Sequence, residues 1–432
     1  MGPKNRVIID TDPGVDDIVA MLLALSASPE ELEVMMISVT YGNVPLQSCL
    51  RNVVALFHVL EKELAWREEN GKPLGFDSMR AYKPIVAVGA EHPLEDDKLA
   101  ADYFHGLDGL HGVHEQHPHL TPDETWKSLF HTEKNLDHSP APVNQYFTPA
   151  KQPAHKEILR LLRENPPNTI SICVVGPMTN VALAAAEDPE TFLRVKELCV
   201  MGGAVHHPGN ITPVGEFNTF ADTVAAARVF ALTSPNPLST MPPISPAKSS
   251  LPAYPAKLSK QLKLSLFPLD ITTPHLLKRG FFTSTIQASL EGGSPLCQWM
   301  NHFMSKTFAN IERLQGNGEE PGLELHDPLT VWYLLTQDDP KWKAVAEPED
   351  IRVETSGQWT RGMLLVDKRI RVKYNETLET GQSGGVDSLT LPDVPGDHGG
   401  WLSYSRGNRV NRVVESPGIE VCAQDLMKKI FP

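Results

Sequence analysis

The sequence is poor in the features that mark secreted, membrane-bound or nucleic-acid-binding proteins. Its five cysteines are odd in number and form no CxxC pair, so no disulfide framework is expected. Lysine and arginine (39) are outnumbered by aspartate and glutamate (53), and the net charge of −14 argues against nucleic acid or an anionic membrane as a partner. No apolar run is long enough to cross a bilayer, and an apolar strand pattern begins almost at Met1, leaving no room for a leader. We therefore expect a cytoplasmic protein.

Acidic residues are concentrated near the start of the chain. Four carboxylates stand in the eight residues from 10 to 17, at Asp10, Asp12, Asp16 and Asp17. The apolar run before them predicts a buried strand, the Pro-Gly pair between them a tight turn, and the apolar run after them a helix. The acids thus lie at the carboxyl end of a first strand, where open α/β sheets bind their ligands.

The charge of this cluster points to a bound cation, because like charges this close together repel one another. Oxygen ligands alone suit calcium or magnesium, whereas zinc would need histidine or thiolate, and we expect calcium. Acids at a helix start are also common as caps, and this alternative explains Asp16 or Asp17 singly. It does not explain Asp10 and Asp12, which strand alternation puts on one face.

Further short motifs follow the acidic cluster in a fixed order. They are TYGN at 40–43, VVGPMTNVALA at 174–184, MGG at 201–203, GNITP at 209–213, GEFN at 215–218 and LHDP at 325–328. Any one of these motifs alone is weak evidence. Taken together and in this order, they resemble the calcium-dependent nucleoside hydrolases, the inosine-uridine-preferring N-ribohydrolase family.

The resemblance implies a set of site residues at the matching positions. The implied calcium ligands are Asp12, Asp17, Asp327 and the backbone carbonyl of Thr179, with water and the ribose hydroxyls completing the shell. The implied substrate ligands are Asp16, Asn43 and Asn218 at the 2′ and 3′ hydroxyls, Asn210 and Glu216 at the 5′ hydroxyl, and Met201 beneath the sugar. Asp10 would support the other acids.

The implied reaction is hydrolysis of the N-glycosidic bond of a ribonucleoside to free base and ribose, as in purine or pyrimidine salvage. Its transition state carries positive charge on the ribose, so the site must supply a nucleophile and help the base leave. A calcium-bound water activated by Asp12 would be the nucleophile. His326 would donate a proton to the departing base, although a His-Asp pair is often only structural and this role stays open.

A histidine-rich stretch offers a competing metal site. His105, Asp108, His111, His114, His117 and His119 lie close enough together in sequence to suggest a zinc loop. The irregular spacing and the lack of an accompanying cysteine argue against zinc. The sequence HGLDGL at 105–110 instead resembles the family's flexible active-site loop, which would close over the nucleobase and bring histidines to it.

The motifs run through the chain with no linker between them, which predicts one domain, 1–432. Repeated strand-then-helix patterns predict an α/β fold with a mainly parallel central sheet flanked by helices, and the resemblance implies a nucleoside hydrolase-like, Rossmann-like core. Three segments are predicted to be inserted. They are a polar insertion at 114–153, a Pro/Ser-rich low-complexity loop at 234–255 expected to be disordered, and a Gly- and Asp-rich C-terminal insertion at 376–401.

Two other functions fit parts of the sequence. Haloacid-dehalogenase (HAD-type) phosphatases use an Asp-x-Asp nucleophile loop, but they want Thr or Val where this chain has Gly14. A non-catalytic nucleoside-binding or scaffold protein on the same fold would explain the insertions, but the full set of ligand residues argues against it. Base preference stays open, with His326 favouring the broad or uridine-preferring group. The resemblance implies a homodimer or homotetramer.

Overall fold

The computed structural model describes residues 2–99, 104–130, 145–243, 251–316, 318–369, 371–373 and 396–432. The strands are β1 (Asn5–Thr11), β2 (Leu32–Val39), β3 (Ile85–Val88), β4 (Thr148–Pro149), β5 (Ser171–Val174), β6 (Glu197–Met201), β7 (Leu264–Phe267), β8 (Leu276–Lys278), β9 (Gly322–Glu324), β10 (Lys343–Ala344), β11 (Ile351–Val353), β12 (Leu364–Val366) and β13 (Asn411–Glu415).

The helices of the described residues mostly lie between these strands in the chain. They are α1 (Val15–Leu25), α2 (Leu46–Glu69), α3 (Asp77–Tyr82), α4 (Val113–Gln116), α5 (Ala154–Glu164), α6 (Thr179–Glu187), α7 (Pro189–Phe192), α8 (Phe217–Ala221), α9 (Thr223–Ala231), α10 (Leu269–Thr272), α11 (Arg279–Glu291), α12 (Pro295–Gln315), α13 (His326–Thr336) and α14 (Ile419–Ile430). Short 3-10 helices span Pro118–Leu120, Glu124–Phe130 and Pro237–Ser239.

The main sheet has nine strands in the order β10-β13-β7-β6-β5-β1-β2-β3-β4. Each neighbouring pair is parallel except β10 with β13, which is antiparallel. The predicted α/β fold with a mainly parallel sheet is therefore confirmed. β1 lies in the interior of the sheet between β2 and β5, so the residues that follow it sit in the middle of the sheet's carboxyl edge.

Burial on both faces explains why the sheet strands read as nearly continuous apolar runs. Alternate residues of β1 enter two separate hydrophobic cores, with Val7 and Ile9 on one side and Ile8 on the other. The first core also contains apolar residues of α1, α2, α12, α13 and α14. The second contains those of α5, α6 and α9. The helices thus cover the sheet from both sides, as expected.

Two smaller antiparallel pairs stand beside the main sheet, β8 with β9 and β11 with β12. The second pair forms a hairpin. Leu364 and Ile351 are buried in the second core, so the hairpin is packed against the body of the molecule.

The predicted insertions are partly integrated into the fold. Segment 114–153 includes β4, which pairs with β3 at the edge of the main sheet. The expectation of a disordered loop over 234–255 is wrong at both described ends, where Ser234 and Tyr254 are buried. Composition misled here because a proline- and serine-rich segment can still bury an aromatic ring, and Tyr254 lies beneath Arg228. Of segment 376–401, only 396–401 lies within the described residues, and there Trp401 stacks on Arg352.

Among the described residues, no helix is both long and apolar enough to span a membrane.

Candidate active site

The turn after β1 places three carboxylates at the centre of the sheet's carboxyl edge. Asp17 sits in the first turn of α1, and its carboxylate accepts hydrogen bonds from the backbone N–H of Gly14 (2.9 Å) and Asp12 (3.2 Å) and from the Thr11 hydroxyl. Asn43 donates its side-chain amide to the same carboxylate (3.0 Å). These bonds fix the turn and explain why an acid is needed at this helix start.

Asp12 is buried beside this turn with one oxygen satisfied and one unpartnered. Its Oδ2 accepts the backbone N–H of Asn43 at 2.7 Å, whereas its Oδ1 has no hydrogen-bond partner among the described residues. Glycines make room for it, because a Cβ on Gly42 would lie 1.9 Å from Oδ2 and one on Gly176 would lie 2.5 Å from Oδ1. This explains the glycines of two of the sequence motifs. A buried carboxylate oxygen left without a partner requires a ligand or a proton.

Three carboxylates meet next to Asp12. Oxygens of Asp16, Asp17 and Asp327 all lie within 4.8 Å of one another, and all three residues are buried. Burial and then the neighbouring negative charges raise the pKa of Asp16 to about 7 and raise the pKa of Asp327 and Asp12 well above the ordinary range. Oxygen ligands in this number fit a hard divalent cation, whose charge would offset the repulsion.

The predicted metal ligands are only partly those that the structure groups together. Asp17 and Asp327 belong to the three-carboxylate cluster and Asp12 lies beside it, but the third member is Asp16, which was expected at the ribose hydroxyls. Thr179 is buried at the start of α6, and its hydroxyl donates to Asp222 at 2.7 Å. Its side chain is therefore engaged away from the cluster, and only its backbone carbonyl is left for the expected role.

Asp10, in β1, is held by side chains of β2 and α6. Its carboxylate accepts hydrogen bonds from Ser38 and from the side-chain amide of Asn180 (2.9 Å). Burial raises the pKa of Asp10 to about 7. Because Asn180 belongs to α6, these bonds tie β1 to the helix that begins with Thr179, which fits the supporting position expected for Asp10.

A cavity of about 350 Å³ opens above the carboxylates. Its wall includes every residue expected to bind the substrate: Asp16, Asn43, Met201, Asn210, Glu216 and Asn218. His326 and Asp327 line it as well. The structure therefore brings the predicted substrate residues together in one pocket, although they come from five separate parts of the chain.

The sugar-side residues are held in place by backbone contacts. Glu216 accepts the backbone N–H groups of Gly203 (2.7 Å), Asn218 (2.7 Å) and Thr219 (2.9 Å), so it caps α8 and ties it to the end of β6. Asn218 donates its amide to the Val175 carbonyl at 2.9 Å. Asn210 accepts the Phe217 N–H at 2.9 Å. The amide of Asn218 is thus committed to the backbone, and its Oδ1 is the atom left to accept a hydroxyl.

His326 begins α13, and both its ring nitrogens have partners. Nδ1 lies 2.7 Å from the Thr272 hydroxyl, and Nε2 lies 2.8 Å from a carboxylate oxygen of Glu324. Burial lowers the pKa of His326, but the hydrogen bond and charge of Glu324, with the charges of Asp16 and Glu216, outweigh it and raise the pKa. Glu324 was not predicted from the sequence; its position two residues before His326 was the only signal available.

The outer part of the cavity is mostly apolar. The side chains there that the sequence reasoning did not select are Phe104, Ile211, Phe217, Ile311, Leu314, Gln315 and Leu323. An apolar cleft with a few polar groups suits a flat heterocycle better than a second charged group. None of the described residues lining the cavity is a tryptophan.

His105 joins this outer wall. Its Nδ1 accepts the backbone N–H of Val15 at 3.1 Å, and burial lowers its pKa to about 3. The ring is therefore neutral near pH 7 and carries its proton on Nε2. Among the nearby histidines, His114 bonds to Asn52 (2.8 Å) and His117 stacks edge-on against His302. Among the described residues, the side chains grouped closely enough to hold a metal ion are Asp16, Asp17 and Asp327, and no histidine belongs to this group. The zinc hypothesis for this loop therefore gains no support.

Comparisons with known proteins agree with this geometry. Residues 7–388 match the family model described as inosine-uridine preferring nucleoside hydrolase. The chain is 31% identical over 365 residues to the pyrimidine-specific ribonucleoside hydrolase RihA of Klebsiella pneumoniae, covering 84% of this chain and 88% of that one. It is 30% identical over 364 residues to an uncharacterised protein of Schizosaccharomyces pombe, covering 84% and 89%.

Solved structures show the same fold. The plant nucleoside hydrolase PpNRh1 superposes with a TM-score of 0.61 at 20% identity, covering 99% of both chains. An inosine-guanosine nucleoside hydrolase superposes with a TM-score of 0.62 at 19% identity, covering 99% of this chain and 98% of that one. Such low identity supports the fold alone, but the family model and the curated relatives decide the family, and they leave the phosphatase alternative without support. The chain belongs to the inosine-uridine preferring nucleoside hydrolases, a family of N-glycosyl hydrolases.

Proposed function

We propose that this protein hydrolyses the N-glycosidic bond of ribonucleosides, with calcium bound at the acidic cluster, to release a free base and ribose. One observation carries the proposal. Buried carboxylates, hydroxyl-binding side chains and a histidine line or adjoin a single cavity whose outer wall is apolar. That arrangement matches a ligand with a polyhydroxylated end and a flat, less polar end.

The residues proposed to hold the cation are Asp12, Asp17, Asp327 and the backbone carbonyl of Thr179. Asp16 lies in the same cluster and lines the cavity, which supports a contact with both the cation and a ribose hydroxyl. When bound, such a cation supplies positive charge that acidifies a nearby water and orients vicinal hydroxyls. The unpartnered Oδ1 of Asp12 and the raised pKa values of the cluster support a cation here.

Asp12 is the proposed general base. Its Oδ2 is anchored by Asn43, which leaves Oδ1 to take a proton from the attacking water. The water oxygen forms a bond to the anomeric carbon while the bond from that carbon to the base nitrogen breaks, and the bonding electrons leave with the base. Glu216 and the Oδ1 atoms of Asn43 and Asn218 place negative charge or negative dipoles around the ribose, which favours its developing positive charge.

His326 is the proposed proton donor to the leaving base. Its Nε2 proton lies on Glu324, so transfer to a base nitrogen requires the ring to exchange this partner for the substrate. The carboxylates of Asp16 and Glu216 favour the charged imidazolium, which is the form that can donate. His105, neutral with its proton on Nε2, also lines the cavity and is proposed to hydrogen-bond the base.

We further propose a preference for pyrimidine nucleosides. The RihA relative is named as pyrimidine-specific, and no tryptophan is found among the described residues that line the cavity. Purine-selective members of the family tend to stack the base between tryptophans. A cytoplasmic role in nucleoside salvage, as a homodimer or homotetramer, is part of the same proposal, and size-exclusion chromatography with light scattering tests the assembly.

The test is release of free ribose from inosine, adenosine, guanosine, uridine and cytidine, with and without phosphate and before and after calcium is stripped. We expect phosphate-independent release that is fastest with the pyrimidine nucleosides and falls when calcium is removed. Consumption of a nucleoside that required phosphate and gave ribose 1-phosphate in place of free ribose would indicate a phosphorylase. No release from any nucleoside, with calcium still bound, would favour the non-catalytic binding or scaffold function.

A further inference from the structure

The β11–β12 hairpin packs against the part of the chain that carries the proposed ribose ligands. We call residues 209–221 the ribose segment, since it contains Asn210, Glu216 and Asn218. Gly215 of this segment forms an isolated antiparallel bridge with Met363 of the hairpin. The hairpin also reaches the end of β6, where a Cβ on Gly203 would lie 2.0 Å from Leu364. The ribose segment is thus enclosed between the sheet and the hairpin.

The tightest of these contacts involves Phe220 at the end of the ribose segment. Gly362 has a φ of +81° and lies so close that a Cβ there would be 3.0 Å from the Phe220 ring and 3.2 Å from its Cα. Glycine is needed at this position both for the left-handed backbone and for the close approach. The backbone of the hairpin turn at Gly362 therefore packs directly against the end of α8.

Arg361, the residue before this glycine, connects three parts of the molecule. One of its terminal nitrogens donates to the Phe220 carbonyl at 2.8 Å, which satisfies a free carbonyl at the end of α8. Its guanidinium lies 4.1 Å from the centre of the Phe220 ring. The same guanidinium pairs with Asp96 through two contacts of 2.8 and 3.1 Å.

Asp96 extends this network to the start of α9. Its carboxylate accepts the backbone N–H (3.2 Å) and the hydroxyl (3.0 Å) of Thr223. The neighbouring Asp222 accepts the Leu94 N–H (2.9 Å) and the hydroxyl of Thr179, the residue whose carbonyl is proposed to hold the cation. Arg361 therefore holds the carboxyl end of α8 against Asp96, and the adjacent Asp222 holds Thr179.

We propose that Arg361 is a positioning residue for ribose recognition, which fixes the ribose segment from the hairpin turn and so sets the positions of Glu216 and Asn218. The inference rests on the proposed function and adds a residue that lies outside the described lining of the cavity. α8 is only five residues long, so its own hydrogen bonds give little rigidity and outside contacts decide its position. Lysine could not replace Arg361, because only the planar guanidinium pairs with a carboxylate at two points while it stacks on a ring.

The test compares Arg361→Gln and Arg361→Lys with the wild type on a ribonucleoside and on its 5′-deoxy analogue. The control is Arg369→Gln, which breaks an exposed ion pair with Asp367 at the far end of the same hairpin. Displacement of Glu216 and Asn218 by a few tenths of an ångström should raise KM for the ribonucleoside about tenfold. The 5′-deoxy analogue lacks the hydroxyl assigned to Glu216 and reports only the shift of Asn218, so its KM should rise by a smaller factor. For Arg361→Lys, KM for the ribonucleoside should lie between those of the wild type and Arg361→Gln. For Arg369→Gln, KM should match the wild type.

A purely structural role for Arg361 predicts a different result. Loss of folded protein lowers kcat for both substrates by the same factor and leaves both KM values unchanged, and that outcome, like unchanged kinetics, would overturn the inference. Asp96→Asn keeps the shape of the partner but removes its charge, and it should shift the same KM in the same direction by a smaller factor. Thermal unfolding of each variant measures the folded fraction.

The wild-type rate separates this inference from the proposed function. If the wild type releases no ribose from any nucleoside, the proposed function has failed, and titration calorimetry with D-ribose then replaces the kinetics. Weaker ribose binding by Arg361→Gln than by Arg369→Gln would support the positioning role. Equal binding by both variants, or no ribose binding by the wild type, would overturn it.

Discussion

Glu324 and His326 are joined by a contact of 2.8 Å between a carboxylate oxygen and Nε2, at one wall of the cavity. The His326 side chain is 16% exposed, while the Glu324 side chain is 43% exposed. The carboxylate therefore stabilises the charge of His326 from the solvent side, where an incoming base would also approach. This contact makes the protonation of His326 depend on a residue outside the family's sequence motifs.

Replacing Glu324 with glutamine should move the alkaline limb of the kcat/KM profile to lower pH. Glu324 raises the pKa of His326, so without its charge His326 loses its proton at a lower pH and the donor form disappears earlier. We expect a loss of about three- to tenfold at pH 8.5 and a smaller loss at pH 6. The profile for p-nitrophenyl riboside, which needs no proton donor, is the control; a matching shift there would contradict the explanation.

Replacing His326 with alanine should separate substrates by their leaving groups. Turnover of nucleosides should fall about 10²- to 10⁴-fold, the usual contribution of a general acid, while p-nitrophenyl riboside should lose less than about tenfold. His206→Ala, at an exposed histidine on the loop after β6, is a matched control. Equal losses on both kinds of substrate would exclude His326 as the proton donor.

Replacing Asp12 with asparagine should abolish catalysis and yet stabilise the calcium-free protein. Activity should fall about 10³-fold or more because the base is gone. Without the cation, burial and the charges of Asp17 and Asp16 oppose ionisation of Asp12, so a neutral amide relieves strain in the free protein.

Thermal unfolding with and without calcium measures this second effect. The wild type should gain about 3 kcal/mol of unfolding free energy at a calcium concentration 100 times Kd, and the Asp12→Asn gain should be clearly smaller. A variant less stable than the wild type in EGTA would show that Asp12 does not suffer from repulsion in the empty site.

His114 should make the protein less stable in mild acid. Burial, with the charge of Arg51, lowers its pKa from 6.5 to about 4, and its Nε2 lies 2.8 Å from Asn52 Oδ1. Between pH 6.5 and pH 4, His114 therefore binds a proton in the unfolded chain but not in the folded protein. Its contribution to stability is complete above pH 6.5 and is lost as the pH falls towards 4. The loss is about 3 kcal/mol.

Urea unfolding at pH 7.5 and pH 4.5 checks this sign. His114→Gln should be less stable than the wild type at pH 7.5, because a buried hydrogen bond is altered, but should lose less stability on acidification. His92→Gln, at an exposed histidine, should follow the wild type. If His114→Gln and the wild type lose equal stability between the two pH values, His114 does not contribute.

The fold and the centre of the site were predictable because their signals are local. The apolar run of β1, the turn after it and the acids around the turn lie within one short stretch. Asp327 lies in a short motif, LHDP, that the family resemblance identifies. The resemblance places Asp16 at the ribose hydroxyls and not among the metal ligands, although its carboxylate converges with those of Asp17 and Asp327, because sequence order does not tell which carboxylates converge. β4 was hidden inside a predicted insertion, since two residues show no periodicity.

Arg361 and Asp222 could not be found from the sequence at all. The role of each depends on a contact with a residue far away in the chain: Arg361 pairs with Asp96, and Asp222 accepts the Thr179 hydroxyl. Nothing in the residues next to Arg361 distinguishes it from other charged residues of a hairpin turn. Single-sequence reasoning thus recovers the residues within motifs and misses those that hold the motifs in position.

The central position of β1 has a kinetic consequence. Val7 pairs with Val34 on one side but with Ser171 on the other, so the strand that carries the acids stays half-paired until a remote part of the chain arrives. Parallel pairings over such separations form slowly, and the open strand edge is exposed to other chains meanwhile. Refolding from urea should therefore be slow, and its yield should fall as protein concentration rises.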